Sequence, residues 1–195
     1  MRIYVGGVNA VGKSTLLKEV AQKIAYAYVH ATTGLLQHLG FDGDYEKLRE
    51  LKQEERNVEY RKYVEKLLRS KNDFLLDAHY LGLVRGKVDR VTDSWLKNFD
   101  ALILISAPFD DVWNRILADS KVRDRALFPS ESSDAEKKDT LAKYQILMQN
   151  EFQRLANLYK KPYIEILNNE NMMDTAVEEL TSFITKIDSG RKTSN

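Results

Sequence analysis

The 195-residue chain predicts an α/β fold in three layers, with a parallel sheet of about five strands and helices on both faces. Three observations lead there. Short apolar runs recur at Arg2 to Gly6, Phe74 to Asp77 and Ala101 to Ser106. Between them lie long stretches whose apolar residues follow the 3.6-residue helical period. The runs are continuous instead of alternating, which suits strands buried on both faces, as parallel strands are.

Taken in order, Arg2 to Gly6 is a strand that runs through a Gly-bounded loop into a helix from Lys13 to Tyr28, carrying Leu16, Leu17, Val20 and Ile24 on one face. Tyr28 to His30 reads as a second strand. Thr32 or Thr33 is placed to cap a helix through Gln37 that stops at Gly40. Residues 44–70 form one long or broken amphipathic helix behind Asp44, with Leu48, Leu51, Val58, Tyr63, Val64, Leu67 and Leu68 as its stripe. Phe74 to Asp77 is a buried strand ending in a carboxylate. Val91 to Asn98 reads as a short helix and Ala101 to Ser106 as a strand, and Pro108 opens a helix through Asp119. Residues 120–134, with Pro129 and four Ser, read as a mobile lid loop. A helix at 135–160, a strand at 163–167 and a helix at 174–187 complete the chain, and 188–195 reads as a disordered polar tail. One domain is expected over 1–187.

Composition narrows the chemistry. Lys and Arg number 30 against 29 Asp and Glu, a net charge of +1, so no global field attracts nucleic acid or a membrane surface. Any anion site is therefore local. With no Cys and three His, disulfides, a cysteine nucleophile and a zinc-thiolate site are excluded. No apolar run approaches a membrane span, and a cytoplasmic enzyme is expected.

Gly7-Val8-Asn9-Ala10-Val11-Gly12-Lys13-Ser14 fits the pattern G-x-x-x-x-G-K-[ST] between a strand and a helix, followed by Thr15. Glycines at these positions let backbone N–H groups turn inward around an anion, and the helix N-terminus adds partial positive charge. Lys13 then reaches the β and γ phosphates of ATP, and Ser14 offers its hydroxyl to Mg²⁺. Asp77 closes its strand where it can hold Mg²⁺ or position an acceptor. His79, two residues on, shares its side if the strand continues. Arg115 and Arg123 are placed to clamp the transferring phosphoryl group, with Lys121 and Arg125 beside them. In the basic 46–71 stretch, Arg49, Arg56 or Arg61 can supply a phosphate fork to a second, anionic substrate.

With these motifs in place, the sequence resembles the nucleoside monophosphate kinases among the P-loop kinases, closest to the archaeal-type adenylate kinases. The resemblance rests on the GGVNAVGKST loop, on Asp77-Ala78-His79, on Arg115-x5-Lys121-x-Arg123-Asp124 and on Ala176 to Leu180. It implies Mg-dependent transfer of the ATP γ-phosphate to AMP, with residues 33–70 as the acceptor region and 120–134 as the lid. It also implies Arg49 and Thr33 at the acceptor. Lys121 stands where that family has Arg, and the segment after His79 is shorter. A P-loop kinase for a sugar or carboxylic acid, or a slow ATPase switch, remains the alternative.

Overall fold

The computed structural model describes residues 1–70, 72–90, 94–122 and 126–192. Seven strands and seven helices occur there: β1 (Arg2–Gly6), α1 (Lys13–Ile24), β2 (Ala27–His30), α2 (Ala31–Leu39), α3 (Tyr45–Glu50), α4 (Gln53–Arg69), β3 (Phe74–Asp77), β4 (Leu81–Val84), β5 (Lys87–Arg90), β6 (Ala101–Ser106), α5 (Phe109–Ser120), α6 (Asp134–Tyr159), β7 (Tyr163–Leu167) and α7 (Met173–Lys192). Five strands pair in the order β2-β3-β1-β6-β7, all parallel. The expected three-layer sheet is therefore present. Its central strand β1 pairs with β3 on one side and β6 on the other. The chain passes from β1 to β2 and β3 on one side and then crosses to β6 and β7 on the other, and ligands of such sheets sit above that switch.

The pleat of β1 divides the core. Ile3 and Val5 point to one face and Tyr4 to the other, and all three are buried. Helices α1 and α7 pack together on one face. On the other, Tyr4 meets Tyr80, Trp95 and Phe99 at ring separations of 5.1–5.3 Å, and Phe152 of α6 stacks on Tyr80. Each such ring contributes roughly 1.5–3 kcal/mol by burial. The Tyr4 hydroxyl donates to the His79 carbonyl at 2.6 Å, tying this aromatic cluster to the turn that follows β3.

Several local expectations are revised. The cap of α2 is His30, whose Nδ1 accepts from the Thr33 backbone N–H, instead of Thr32 or Thr33. The 44–70 helix is broken between Glu50 and Gln53, after Asp44 caps the first piece as expected. Residues 81–90 form an antiparallel hairpin that no expectation covers: β4 (LGLV) is apolar but only four residues long and broken by Gly82, and β5 (KVDR) is polar. Of the helix expected at 91–98, the described residues keep one 3₁₀ turn at Leu96–Asn98. Helix α7 continues through Lys192 into the stretch read as a disordered tail, where Arg191 reaches Asp100 at 3.1 Å. Among the described residues, no helix is long and apolar enough to cross a membrane.

Helices α2 and α4 depend on one close approach. A Cβ on Gly34 of α2 would lie 1.8 Å from the Tyr63 hydroxyl of α4. Gly34→Ala is expected to lower stability by about 1–3 kcal/mol, the usual range for overpacking. Urea unfolding would show this, with part of the loss recovered in Gly34→Ala combined with Tyr63→Phe.

Candidate active site

The loop between β1 and α1 is shaped by what lies beneath it. Gly12, the residue before α1, sits at φ 83°, and a Cβ there would come 2.4 Å from Nδ2 of Asn168. That amide, just beyond β7, donates to the Val11 carbonyl at 2.7 Å and holds the loop down. At Gly7 a Cβ would lie 2.3 Å from the Ile105 carbonyl oxygen. Helix α1 has neither a side-chain cap nor an acidic residue in its first turn, whereas α2, α3 and α6 are capped by His30, Asp44 and Ser133. Its first N–H groups thus remain available to an anion.

Lys13 is buried, and its Nζ donates to the carbonyls of Gly7 and Val8, each at 3.0 Å. Ser14 Oγ donates to Asp77 Oδ2 at 2.6 Å, and the Tyr28 hydroxyl donates to the same oxygen at 2.9 Å. Register explains the grouping: β3 places Asp77 opposite Val5 of β1 and His30 of β2, at the C-terminal ends of all three strands. Burial pushes the Asp77 carboxyl up. The charge of Lys13 and the hydrogen bonds from Ser14 and Tyr28 outweigh it and hold the group below its ordinary range. Serine hydroxyl and carboxylate are hard oxygen donors, so the pair fits Mg²⁺ whose remaining ligands are phosphate and water.

His79 packs against the loop, with Nδ1 at 2.6 Å from the Gly7 carbonyl oxygen. A carbonyl only accepts, so Nδ1 carries the hydrogen. Burial, and after it the charge of Lys13, pushes the imidazole down to about 3, leaving it neutral near pH 7. Arg115 of α5 reaches the loop from the other side, 3.5 Å from the Ala10 carbonyl and 3.9 Å from Asp111.

Two cavities meet here. The inner one, about 270 Å³, is bounded by Asn9 to Thr15, His30, Asp77, His79, Arg115 and Asp119. The outer one, about 750 Å³, is walled by Lys18, Tyr28, Thr32, Thr33, Tyr45, Glu46 and Arg49. Asn9, Ser14, His30 and His79 border both. A separate cavity of about 440 Å³, between β6, β7 and α6, has Glu165 as its only charged wall residue among the described residues and offers no cation to a triphosphate.

The structure thus gathers Lys13, Ser14, Asp77, His79 and Arg115 around the inner cavity and places Thr33 and Arg49 on the outer wall. Arg56 and Arg61 border neither cavity, and Arg61 pairs with Glu65 at 3.0 Å. Arg123 and Arg125 lie outside the described residues. Sequence reasoning missed Tyr28, His30, Lys18 and Asn168. His30 is the one with a usable sign, a polar residue ending a strand as Asp77 does.

The histidine has a consequence for stability. Its folded pKa of about 3 lies below the ordinary 6.5, so the unfolded chain binds the extra proton between these values. Stability from this site is full above pH 6.5 and is lost as pH falls toward 3. His79→Asn, which keeps a donor toward Gly7 without the titration, is expected to flatten the fall in thermal midpoint over that window. An equal acid dependence in both proteins would refute it.

Solved structures share the fold at low identity. Shikimate kinase from Bacteroides thetaiotaomicron superimposes with a TM-score of 0.65 at 14% identity, covering 95% of this chain and 98% of that one. Shikimate kinase from Acinetobacter baumannii, in complex with shikimate, gives 0.64 at 15% identity, covering 98% and 94%. A gluconokinase from Sinorhizobium meliloti 1021 gives 0.63 at 12% identity, covering 100% and 97%. The search of curated proteins finds no match. Residues 6–134, more than half of the chain and running from the end of β1 through the phosphate-loop motif to the start of α6, match the family described as AAA domain, and the chain belongs to that family.

Proposed function

We propose that this protein transfers the γ-phosphoryl group of ATP, with Mg²⁺, to a small acceptor held in the outer cavity. The observation that carries the reading is the junction itself. An uncapped helix N-terminus and a buried Lys13 line a cavity that opens, past Ser14, Asp77 and His79, into a second cavity with its own cations. One space suits a triphosphate and the other an acceptor in line with it.

In this reading the inner cavity takes the phosphates, and Lys13 exchanges its two carbonyl partners for phosphate oxygens. Arg115 adds charge from α5. Ser14 and Asp77 would hold Mg²⁺, which would neutralise phosphate charge. The acceptor oxygen bonds to the γ-phosphorus as the β–γ bridge breaks and ADP leaves with the electron pair.

A nucleoside monophosphate, AMP foremost, is the acceptor to which the family resemblance points. Lys18 and Arg49 are cations for its phosphate, and Thr33, Tyr28 and Tyr45 supply polar and aromatic wall. A second reading, an alcohol, is favoured by the unprotonated edge of His79 at the cavity junction, and it fits the shikimate kinase and gluconokinase that share the fold.

ADP release should be followed with ATP and a panel of AMP, CMP, UMP, dTMP, shikimate and gluconate. Turnover with one class is expected, and Lys13→Ala should cut kcat/KM by about 10² or more, as loss of a charge-stabilising donor does. Slow hydrolysis that no acceptor changes would instead mark a nucleotide switch.

A further inference from the structure

Resting on the kinase reading, we infer that Tyr28 is a positioning residue for the Ser14–Asp77 pair: its hydroxyl pins one oxygen of Asp77, so that the other oxygen and the Ser14 hydroxyl are presented together to Mg²⁺. A strand tyrosine, a helix serine and a strand-end carboxylate meet at a single oxygen atom, and that convergence carries the inference.

Oδ2 of Asp77 accepts twice, from Ser14 Oγ at 2.6 Å and from the Tyr28 hydroxyl at 2.9 Å. Oδ1 forms no hydrogen bond among the described residues, and Asp77 lines the inner cavity. A serine that gives its hydrogen to a carboxylate keeps both lone pairs of its oxygen for other partners. The carboxylate torsion of aspartate is soft, so a single donor leaves its plane free to swing. Two donors from different elements fix that plane. They also commit the same oxygen to the protein and reserve the other for the cavity.

Chain geometry makes the reach specific. Strand β2 pairs with β3 so that His30 lies beside Asp77 and Tyr28 beside Leu75. Position 28 is thus two residues, roughly 6.6 Å, short of the carboxylate along the strand, a gap that a phenol spans and a serine or threonine does not. Lys18 lies 5.7 Å from the ring centre, one helical turn after Ser14 on the same face of α1. One face of that helix therefore supplies both the serine and the cation that steadies the tyrosine. Burial does not account for the bond. The buried hydroxyls of Tyr4, Tyr80 and Tyr144 donate to the main-chain carbonyls of His79, Ile103 and Leu81. Tyr28 is only half-buried and borders the outer cavity, so satisfying its hydroxyl does not demand a carboxylate.

The test measures ATP affinity by calorimetry in EDTA and in Mg²⁺ for the whole chain, Tyr28→Phe, Asp77→Asn and the double variant. Phe keeps the ring, its place in the wall and the Lys18 contact, and removes only the hydroxyl. Expected in Tyr28→Phe is a metal-free affinity within about twofold of the unmodified chain and a Mg²⁺ gain about tenfold smaller. That is the low end of the roughly 10- to 100-fold that loss of a metal ligand's own partner costs. In the Asp77→Asn background the same substitution is expected to change the Mg²⁺ gain by less than about twofold, because the carboxylate it acts through is gone. An undiminished Mg²⁺ gain in Tyr28→Phe, an equal loss of metal-free affinity, or an undiminished effect in the Asp77→Asn background overturns the inference and leaves the kinase reading standing. Affinity of the unmodified chain that ignores Mg²⁺ overturns both.

Discussion

A buried ammonium governs this molecule. Lys13 holds its charge on the two carbonyl oxygens of Gly7 and Val8, and that charge helps keep the buried carboxyl of Asp77 below its ordinary range. Burying a charge is costly unless it is paired or hydrogen-bonded, and both are met here, Lys13 by two carbonyls and Asp77 by the hydroxyls of Ser14 and Tyr28. Of the four buried polar or charged residues among those described, Lys13, Asp77 and Asn168 surround this loop, and the fourth, Glu151, pairs with Arg154 at 2.8 Å. The polar interior is thus concentrated in one place, at the C-terminal edge of the sheet. The aromatic cluster around Tyr4 holds that edge from below by fixing the turn at His79.

The framework was legible because it follows burial. Ala101 to Ser106 is apolar at every position but its last and is flanked by β1 and β7 in the sheet, so pattern and structure agree. The phosphate loop was legible for a different reason. Backbone geometry around an anion permits few residue types, and they fall at fixed spacing. Asp77 stood out as a charge at the end of a four-residue buried strand.

What escaped the sequence lies where the partner is distant along the chain. Asn168 supports the loop from 157 residues away, and Tyr28 reaches Asp77 across 49. Neither has a local pattern. His30 serves as helix cap and cavity wall together, a role that Ser, Thr, Asp or Asn usually fills and that hid the true start of α2. The hairpin at 81–90 is stitched by the backbone N–H groups of Arg85 and Gly86 to the carbonyls of Ala126 and Leu127, contacts that carry no side-chain signature at all. The continuation of α7 past Asp188 is likewise invisible to composition, since Arg191 gains its partner only when Asp100 is brought beside it.

In the proposed function, Lys13 and Asp77 together make a triphosphate and Mg²⁺ site. Calorimetric titration of the whole chain with ATP, with and without Mg²⁺ and repeated on Asp77→Asn, addresses it most directly. One site is expected, with an affinity that rises at least tenfold with Mg²⁺ and loses that gain in Asp77→Asn. Binding that is absent, or that ignores both the metal and the substitution, would contradict it.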